Sequence, residues 1–233
     1  MCARYAYFTG QELGQFMKRF DVDRSAAIKK LEARYNISPG TINPTITRNS
    51  PNRLTFMKWG LVPFWAKDPS IGNKMINARA ESIETKPSFR KPIRNQRCLV
   101  PASGFYEWKT LKLETKPEKI PWYLGIKNEA TFSLAGIYDI WRDAEKMEYR
   151  TYSIITTEPN ALVSRIHNRM PVILAQKDEN QWLDQKTPLE KILKLLQPFP
   201  ANKMVSWPVS RRINKPLNDD PDLIKQKIPK FPS

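Results

Sequence analysis

Apolar and polar positions alternate in short runs through the middle of the chain, with prolines and glycines standing between the runs. "RLTFMKWGLVPFW", "QRCLVPASGFYEWK", "IPWYLGI", "TFSLAGIYDIW" and "YRTYSIITT" have the β-branched and aromatic content of strands. "ARYAYF" near the start and "MVSWPVS" near the end read the same way. Helical spacing is found in three places. One begins at the T-x-x-E capping pattern of Thr9 and Glu12 and runs brokenly toward Tyr35; the others are "EPNALVSRIH" and the stretch from "DENQWLDQ" through "PLEKILKLLQ". "NISPGTINPTI" reads as a break, and "KTLKLETKPEKI" as an exposed, charged hairpin loop. The pattern predicts an α+β fold: a β-rich single domain with a largely antiparallel sheet or barrel core and flanking helices. Twenty prolines favour corners and edges over long central strands. The chain has no repeat of fixed period and no low-complexity linker, which points to one domain over residues 2–224, followed by a loosely held basic tail, 225–233.

Composition narrows the class. At 233 residues, with 40% hydrophobic content, the chain can bury a substantial core. No apolar run is long enough to span a membrane, and the first residues lack the apolar segment of a secretory signal. With two cysteines, Cys2 and Cys98, and one histidine, neither a disulfide framework nor a metal site is expected. A cytoplasmic location follows from these features. Thirty-nine Lys and Arg against 23 Asp and Glu leave a net charge of +16. Such a field attracts polyanions, with nucleic acid the first partner to consider and a merely lysine-rich surface the plainer account.

Chemistry begins at position 2. If Met1 is removed, Cys2 presents an α-amine with pKa about 8 beside a thiol with pKa about 8.5. That pair condenses with an aldehyde to an imine and then closes a five-membered thiazolidine, which no internal cysteine can do. The plainer account is a small residue opening a strand. Arg4 would share a strand face with Cys2, favouring thiolate and holding a phosphate. In "INARAES", Asn77 is either the N-cap of a helix or an amide that orients a reacting group, and Arg79 and Glu81 follow it. In "PASGFYEWK", Glu107 either faces solvent between its aromatic neighbours or faces a pocket, where desolvation would make it a general acid or base near neutrality. In "RIHNRMPVIL", His167 is either a structural hydrogen-bonder or a proton shuttle, with Arg169 beside it as a phosphate ligand. Trp59 and Trp65 flank the Gly-Pro loop of "WGLVPFW", either as core or as platforms for unpaired bases.

Taken together and in order, the start "MCARY", then "WGLVPFW", "INARAES", "CLVPASGFYEWK", "IHNRMPVIL" and "VSRRINKPLNDDPDLI" resemble the SRAP family, named for SOS response-associated peptidase. The resemblance runs from the second residue to about Ile224. It implies a basic cleft for single-stranded DNA and a role in the DNA damage response, shielding abasic sites by a covalent protein–DNA crosslink. It also implies Cys2 as nucleophile, Asn77 as orienting amide, Glu107 as catalytic acid/base and His167 as the site's histidine. Arg4, Arg79 and Arg169 match the phosphate-contacting arginines, and the loop of Trp59 and Trp65 matches the DNA-contacting aromatics. The expected partner is single-stranded DNA containing abasic sites, met by a monomer at the nucleoid, without membrane, metal or cofactor. One departure stands out: the family typically has Gly where this chain has Ala3, so a turn that needs positive φ there would slow the reaction.

Two rivals remain at this level. Cys2 could be the N-terminal nucleophile of a peptidase or amidohydrolase, with its own amine as base and Asn77 in the oxyanion hole, self-removal of Met1 being its proteolysis; minor lyase activity belongs instead to the crosslinking chemistry, where an imine is left if the thiol is missing. Alternatively, the chain is a non-catalytic single-stranded DNA-binding module.

Overall fold

The computed structural model describes residues 2–7, 13–22, 31–48, 52–111 and 117–227. The capping pair Thr9 and Glu12, residues 112–116 of the charged hairpin segment, and the end of the basic tail lie outside the described residues; the flanks of that segment, 109–111 and 118–120, are strand rather than loop.

Two β-layers carry the molecule. The first is a five-stranded antiparallel sheet in the order β13–β8–β7–β1–β2, formed by β1 (Tyr5–Tyr7), β2 (Arg34–Ile37), β7 (Gly104–Leu111), β8 (Glu118–Ile126) and β13 (Met204–Pro208). The second is built from β3 (Ile42–Thr47), β4 (Arg53–Trp59), β6 (Arg97–Ala102), β9 (Phe132–Arg142) and β10 (Glu148–Thr157). Here β10 pairs with both β4 and β9, so five strands close on one another as a barrel. The contact between β10 and β4 is parallel, as is that between β10 and the short β5 (Asn77–Arg79); the other contacts of the ring are antiparallel. β11 (Met170–Pro171) and β12 (Ile173–Leu174) pair with the outer ends of β10 and β9.

The helices are few and short. Of the broken helical stretch expected toward Tyr35, the described residues show α1 (Leu13–Phe20), whose Phe16 and Phe20, one turn apart, pack at a tilt with ring centroids 4.8 Å apart, Phe16 lying edge-on to Tyr7 of β1. Tyr35 itself is in β2, and "INPTIT", expected as a break, is β3. Pro44 is tolerated because β6 meets β3 only at Ile46↔Leu99, so elsewhere that side of the strand has no ladder to satisfy. The helix expected at "EPNALVSRIH" is one 3-10 turn, Val163–Arg165. Asn160 dictates that: its Oδ1 accepts from the amides of Leu162 and Val163 while its Nδ2 donates to Phe199 O. Among the described residues, the remaining helices are α2 (Pro92–Asn95), which leads into β6, and α3 (Gln176–Leu183) and α4 (Leu189–Leu193), which follow where helical spacing placed them.

Strand alternation decides what meets between the layers. In β1, Tyr5 and Tyr7 point into the main core and Ala6 into a smaller cluster with Tyr106, Tyr123 and Ile213. Tyr5 packs edge-on against Trp59 at 5.2 Å, and its hydroxyl meets that of Tyr152 at 2.8 Å. Asn43 Nδ2 donates to the same Tyr152 oxygen at 3.1 Å, so the sheet is bolted to the barrel by a satisfied polar group.

Candidate functional site

The site lies where the start of the chain crosses from one layer to the other. Cys2 is fully buried just ahead of β1, and the Arg4 carbonyl that accepts the Tyr106 amide at 3.0 Å ties this segment to β7. Cys2 Sγ lies 3.7 Å from that carbonyl. Among the described residues, the non-glycine positions with positive φ are Asp21, Asn128 and Lys146; Ala3 is not one of them, so glycine geometry is not needed beside Cys2.

Asn77 is not a helix cap. It opens β5, whose parallel pairing places it opposite Ile154 of β10, and its Nδ2 donates to the Cys2 carbonyl at 2.8 Å. Its Oδ1 is buried with no protein partner. Arg79, two residues on and therefore on the same face of β5, is exposed.

Glu107 faces inward, with its side chain only 2% exposed. The cause is the alternation of β7: Phe105 and Glu107 point toward the main core, while Tyr106 joins the smaller cluster behind the sheet. Burial pushes the Glu107 carboxyl up to about 7. Burial also raises the Cys2 thiol well above its ordinary range, with the Glu107 charge adding to the effect. The thiol of this site is therefore held neutral, contrary to the expectation that Arg4 favours thiolate.

His167 follows the 3-10 turn at Val163–Arg165 and places Nδ1 3.7 Å from Glu107 Oε2. The Arg169 amide donates to the same Nδ1 at 3.1 Å. The Arg169 carbonyl lies 3.2 Å from the same Nδ1, so this nitrogen faces both a backbone donor and a backbone acceptor. Burial lowers the His167 pKa below its ordinary value, which favours the neutral ring.

Arg169 is held by Glu81 through two bonds, Nη1 to Oε1 at 2.6 Å and Nη2 to Oε2 at 3.0 Å, and by the Thr156 carbonyl at 2.7 Å. Its Nε and that of Arg4 are buried without a protein partner. The sequence offered no way to see Glu81 as the partner of Arg169, because the pairing arises only when β11 folds back beside β10.

The two tryptophans part company. Trp59 is 1% exposed, stacked on Tyr152 at 6.3 Å and donating from Nε1 to Ile76 O at 2.8 Å. It is core, which corrects its assignment as a DNA-contacting aromatic; Met57 and Trp59 share the buried face of β4 while Lys58 between them is exposed. Trp65 is 48% exposed on the loop beyond β4, next to Phe64 at 52%, which sequence reasoning missed. Lys91 lies 4.0 Å above the Phe64 ring.

That loop is firmly seated. Val62 N donates to Thr151 Oγ1 at 2.8 Å, Phe64 N to Asp139 Oδ2 at 2.9 Å, and Trp141 Nε1 to Ala66 O at 2.7 Å. Its neck is a backbone contact: a Cβ on Gly60, where φ is +126°, would lie 2.7 Å from Gly72 O.

Among the described residues no three His, Cys, Asp or Glu side chains cluster as a metal ion requires, and no helix is long and apolar enough to cross a membrane. The site thus unites a buried thiol, an amide with one free acceptor, a carboxyl poised at neutrality and a neutral imidazole, with arginines at its edge.

A family model described as SOS response associated peptidase (SRAP) matches residues 1–216. The abasic site processing protein YoqW of Bacillus subtilis (strain 168) is 43% identical over 227 residues, covering 97% of this chain and 99% of the relative. The abasic site processing protein HMCES of Rattus norvegicus is 30% identical over 84% of this chain and 67% of its own length. A crystal structure of a protein from Bacteroides thetaiotaomicron superposes with a TM-score of 0.85 at 32% identity, covering 96% of this chain and all of that one.

Proposed function

The chain belongs to the SOS response associated peptidase (SRAP) family, and from that premise we propose that it processes abasic sites in DNA by capturing the lesion aldehyde covalently at Cys2. The observation that carries this reading is the meeting of Cys2, Asn77, Glu107 and His167, brought from four separate segments into one hydrogen-bonded and electrostatically coupled site.

With Met1 removed, the Cys2 amine attacks C1′ of the open-chain sugar. Asn77 grips the Cys2 carbonyl with Nδ2, and its unpartnered Oδ1 is the acceptor available to aim an amine N–H. The carbinolamine then loses water, for which protonated Glu107 supplies the proton; with a pKa of about 7 both of its forms are populated at neutrality. The neutral Cys2 thiol adds to the iminium carbon, forming the C–S bond as its proton passes to the Glu107 carboxylate. Aldehyde, amine and thiol thereby become one thiazolidine and one water. His167 serves ring opening by relaying the C1′ hydroxyl proton to the ring oxygen, so that the C1′–O4′ bond breaks as the C1′ aldehyde forms. The thiazolidine removes the imine that would acidify C2′ and lead to strand cleavage, so lyase activity is the side reaction of a site deprived of its thiol. Hydrolysis of the Met1–Cys2 bond must come first. Glu107, close enough to perturb the Cys2 thiol, is the group fitted to activate the water for it.

Arg4, Arg79 and Arg169 provide cations for the flanking phosphates of single-stranded DNA, and Trp65 a platform for an unpaired base. Intact mass and a denaturing gel test the reading, using an oligonucleotide with one abasic site. Protein confirmed to begin at Cys2 should give a heat-stable adduct, and Cys2→Ser only a labile one with strand cleavage. No adduct from the wild-type protein would refute covalent capture. Amide turnover without DNA would favour a peptidase.

A further inference from the structure

Arg169, at the edge of the Cys2 site, is already occupied. Glu81 takes one N–H from Nη1 at 2.6 Å and one from Nη2 at 3.0 Å, and the Thr156 carbonyl takes the other N–H of Nη2 at 2.7 Å. Nε is buried without a protein partner. A guanidinium carries five N–H groups, so a single one on Nη1 is left to offer. A backbone phosphate is best held by two parallel N–H groups of an arginine, the same fork that a carboxylate fills. The Glu81 carboxylate therefore stands where a phosphate would stand. Its two partners are not equally fixed. The Arg169 side chain is 15% exposed and anchored to β10 through Thr156, whereas that of Glu81 is 53% exposed and belongs to the 3-10 turn Ala80–Ser82 that follows β5. Of the pair, Glu81 is the one free to swing away.

We propose that Glu81 is a built-in mimic of DNA phosphate, which neutralises Arg169 in the free protein and is displaced by a backbone phosphate when single-stranded DNA enters the Cys2 site. The inference rests on the function proposed above, in which Arg79 and Arg169 meet the flanking phosphates. Position supports it: Glu81 follows Arg79 closely in the chain, and the Arg79 charge also acts on its carboxylate, which thus lies in the field of both arginines. The surroundings explain why Glu81 stays on Arg169 until DNA arrives. It also lines a cavity of about 330 Å³ together with Glu84 and Glu158. That cavity gives the side chain room to move, while its other two carboxylates repel a third. When a phosphate takes over the fork, one anion replaces another, and the largely buried guanidinium is never left uncompensated. The exchange lowers affinity, because the strength of the internal pair sets the fraction of protein in which Arg169 is open to DNA.

The probe is a single-stranded oligonucleotide whose lesion is a tetrahydrofuran residue, which has no aldehyde, so affinity read by fluorescence anisotropy does not depend on covalent capture. Glu81→Gln keeps the shape of the side chain and removes its charge; it should tighten binding about three- to fivefold, the upper range for a partly exposed ion pair. Arg169→Gln should weaken binding, and adding Glu81→Gln to it should then change affinity by less than about 1.5-fold, since no guanidinium remains to be unmasked. Glu84→Gln removes a charge from the same cavity and leaves the Arg169 pair intact. It should tighten binding by less than about 1.5-fold, and it carries the comparison if Arg169→Gln does not fold. Unchanged or weaker binding by Glu81→Gln overturns the proposal. So does wild-type affinity in Arg169→Gln, or a gain of equal size in the Arg169→Gln background or from Glu84→Gln, which would trace the effect to net charge. A parallel gel with an aldehydic abasic site reports on Cys2 alone: crosslinking without the Glu81–Arg169 coupling removes the phosphate mimic and leaves covalent capture standing, and coupling without crosslinking does the opposite.

Discussion

Replacing Glu107 by Gln tests the electrostatic heart of the site through folding stability rather than activity. The wild-type carboxyl is buried and titrates at about 7 instead of 4.5. Below pH 4.5 it is protonated whether the chain is folded or not, so its burial has no charge to penalise. As the pH rises, the unfolded chain ionises first and gains stability that the folded protein does not share, until the folded carboxyl also ionises near pH 7. The contribution is therefore present at low pH and lost as the pH climbs through that window. The difference between 4.5 and about 7, at about 1.4 kcal/mol per pH unit, is roughly 3 kcal/mol in all. Between pH 5 and pH 8 the part expressed is about 2.5 kcal/mol. Gln fills the same space with no proton to lose. Urea denaturation of both proteins at the two pH values should show Glu107→Gln gaining about 2.5 kcal/mol relative to wild type at pH 8 over pH 5, or roughly 5–10 °C in Tm. Groups that titrate equally in both proteins cancel in this comparison. Parallel profiles, with the gap constant to within about 0.5 kcal/mol, would mean that Glu107 ionises like an exposed carboxylate, and its role as proton donor at neutrality would fall with the shift.

Three further outcomes follow from the geometry. Asn77→Ala removes the 2.8 Å bond to the Cys2 carbonyl and should slow crosslinking by about 10- to 100-fold in single-turnover gels without moving the urea midpoint by more than a few tenths of a molar; an unchanged rate would show that Cys2 positions itself. Arg79→Ala, altering an exposed residue on the Asn77 face, should lower the slope of log affinity against log salt by about 0.7 in anisotropy titrations, and an unchanged slope would place Arg79 off the DNA path. Gly60→Ala introduces a Cβ 2.7 Å from Gly72 O at φ +126° and should cost roughly 2–4 kcal/mol in chemical denaturation; a cost under about 1 kcal/mol would mean the loop neck gives way freely.

Much of the fold is readable from the sequence because strands bounded by Pro and Gly advertise themselves: β6 to β10 fall where alternation placed them. β3 hid because Pro44 looks like a breaker until the sparse β6 contact is known. The helix expected near Asn160 failed because its side chain competes with helical bonding, a choice settled by Phe199 some distance away. For the site, residue types were informative and orientation was not. Glu107 and Trp108 are adjacent on β7, yet only the layering of two sheets says which one turns toward Cys2. Trp59 shows the opposite error: its place beside a loop suggested exposure, while its i,i+2 relation to Met57 already hinted at the core. The neutral thiol was beyond sequence reasoning, since it follows from burial and the neighbouring carboxyl rather than from Arg4.

The seating of the loop between Gly60 and Gly72 also has a practical meaning for protein engineering. Its neck is backbone against backbone, and its outer course hangs on Asp139 and Trp141, neither of which belongs to the Cys2 chemistry. Positions 63–71 therefore form an exchangeable cassette. Grafting a segment of the same length, with the two glycines and the Ala66 carbonyl geometry retained, would change the exposed rings at Phe64 and Trp65 while Asn77, beyond the neck, keeps its hold on Cys2.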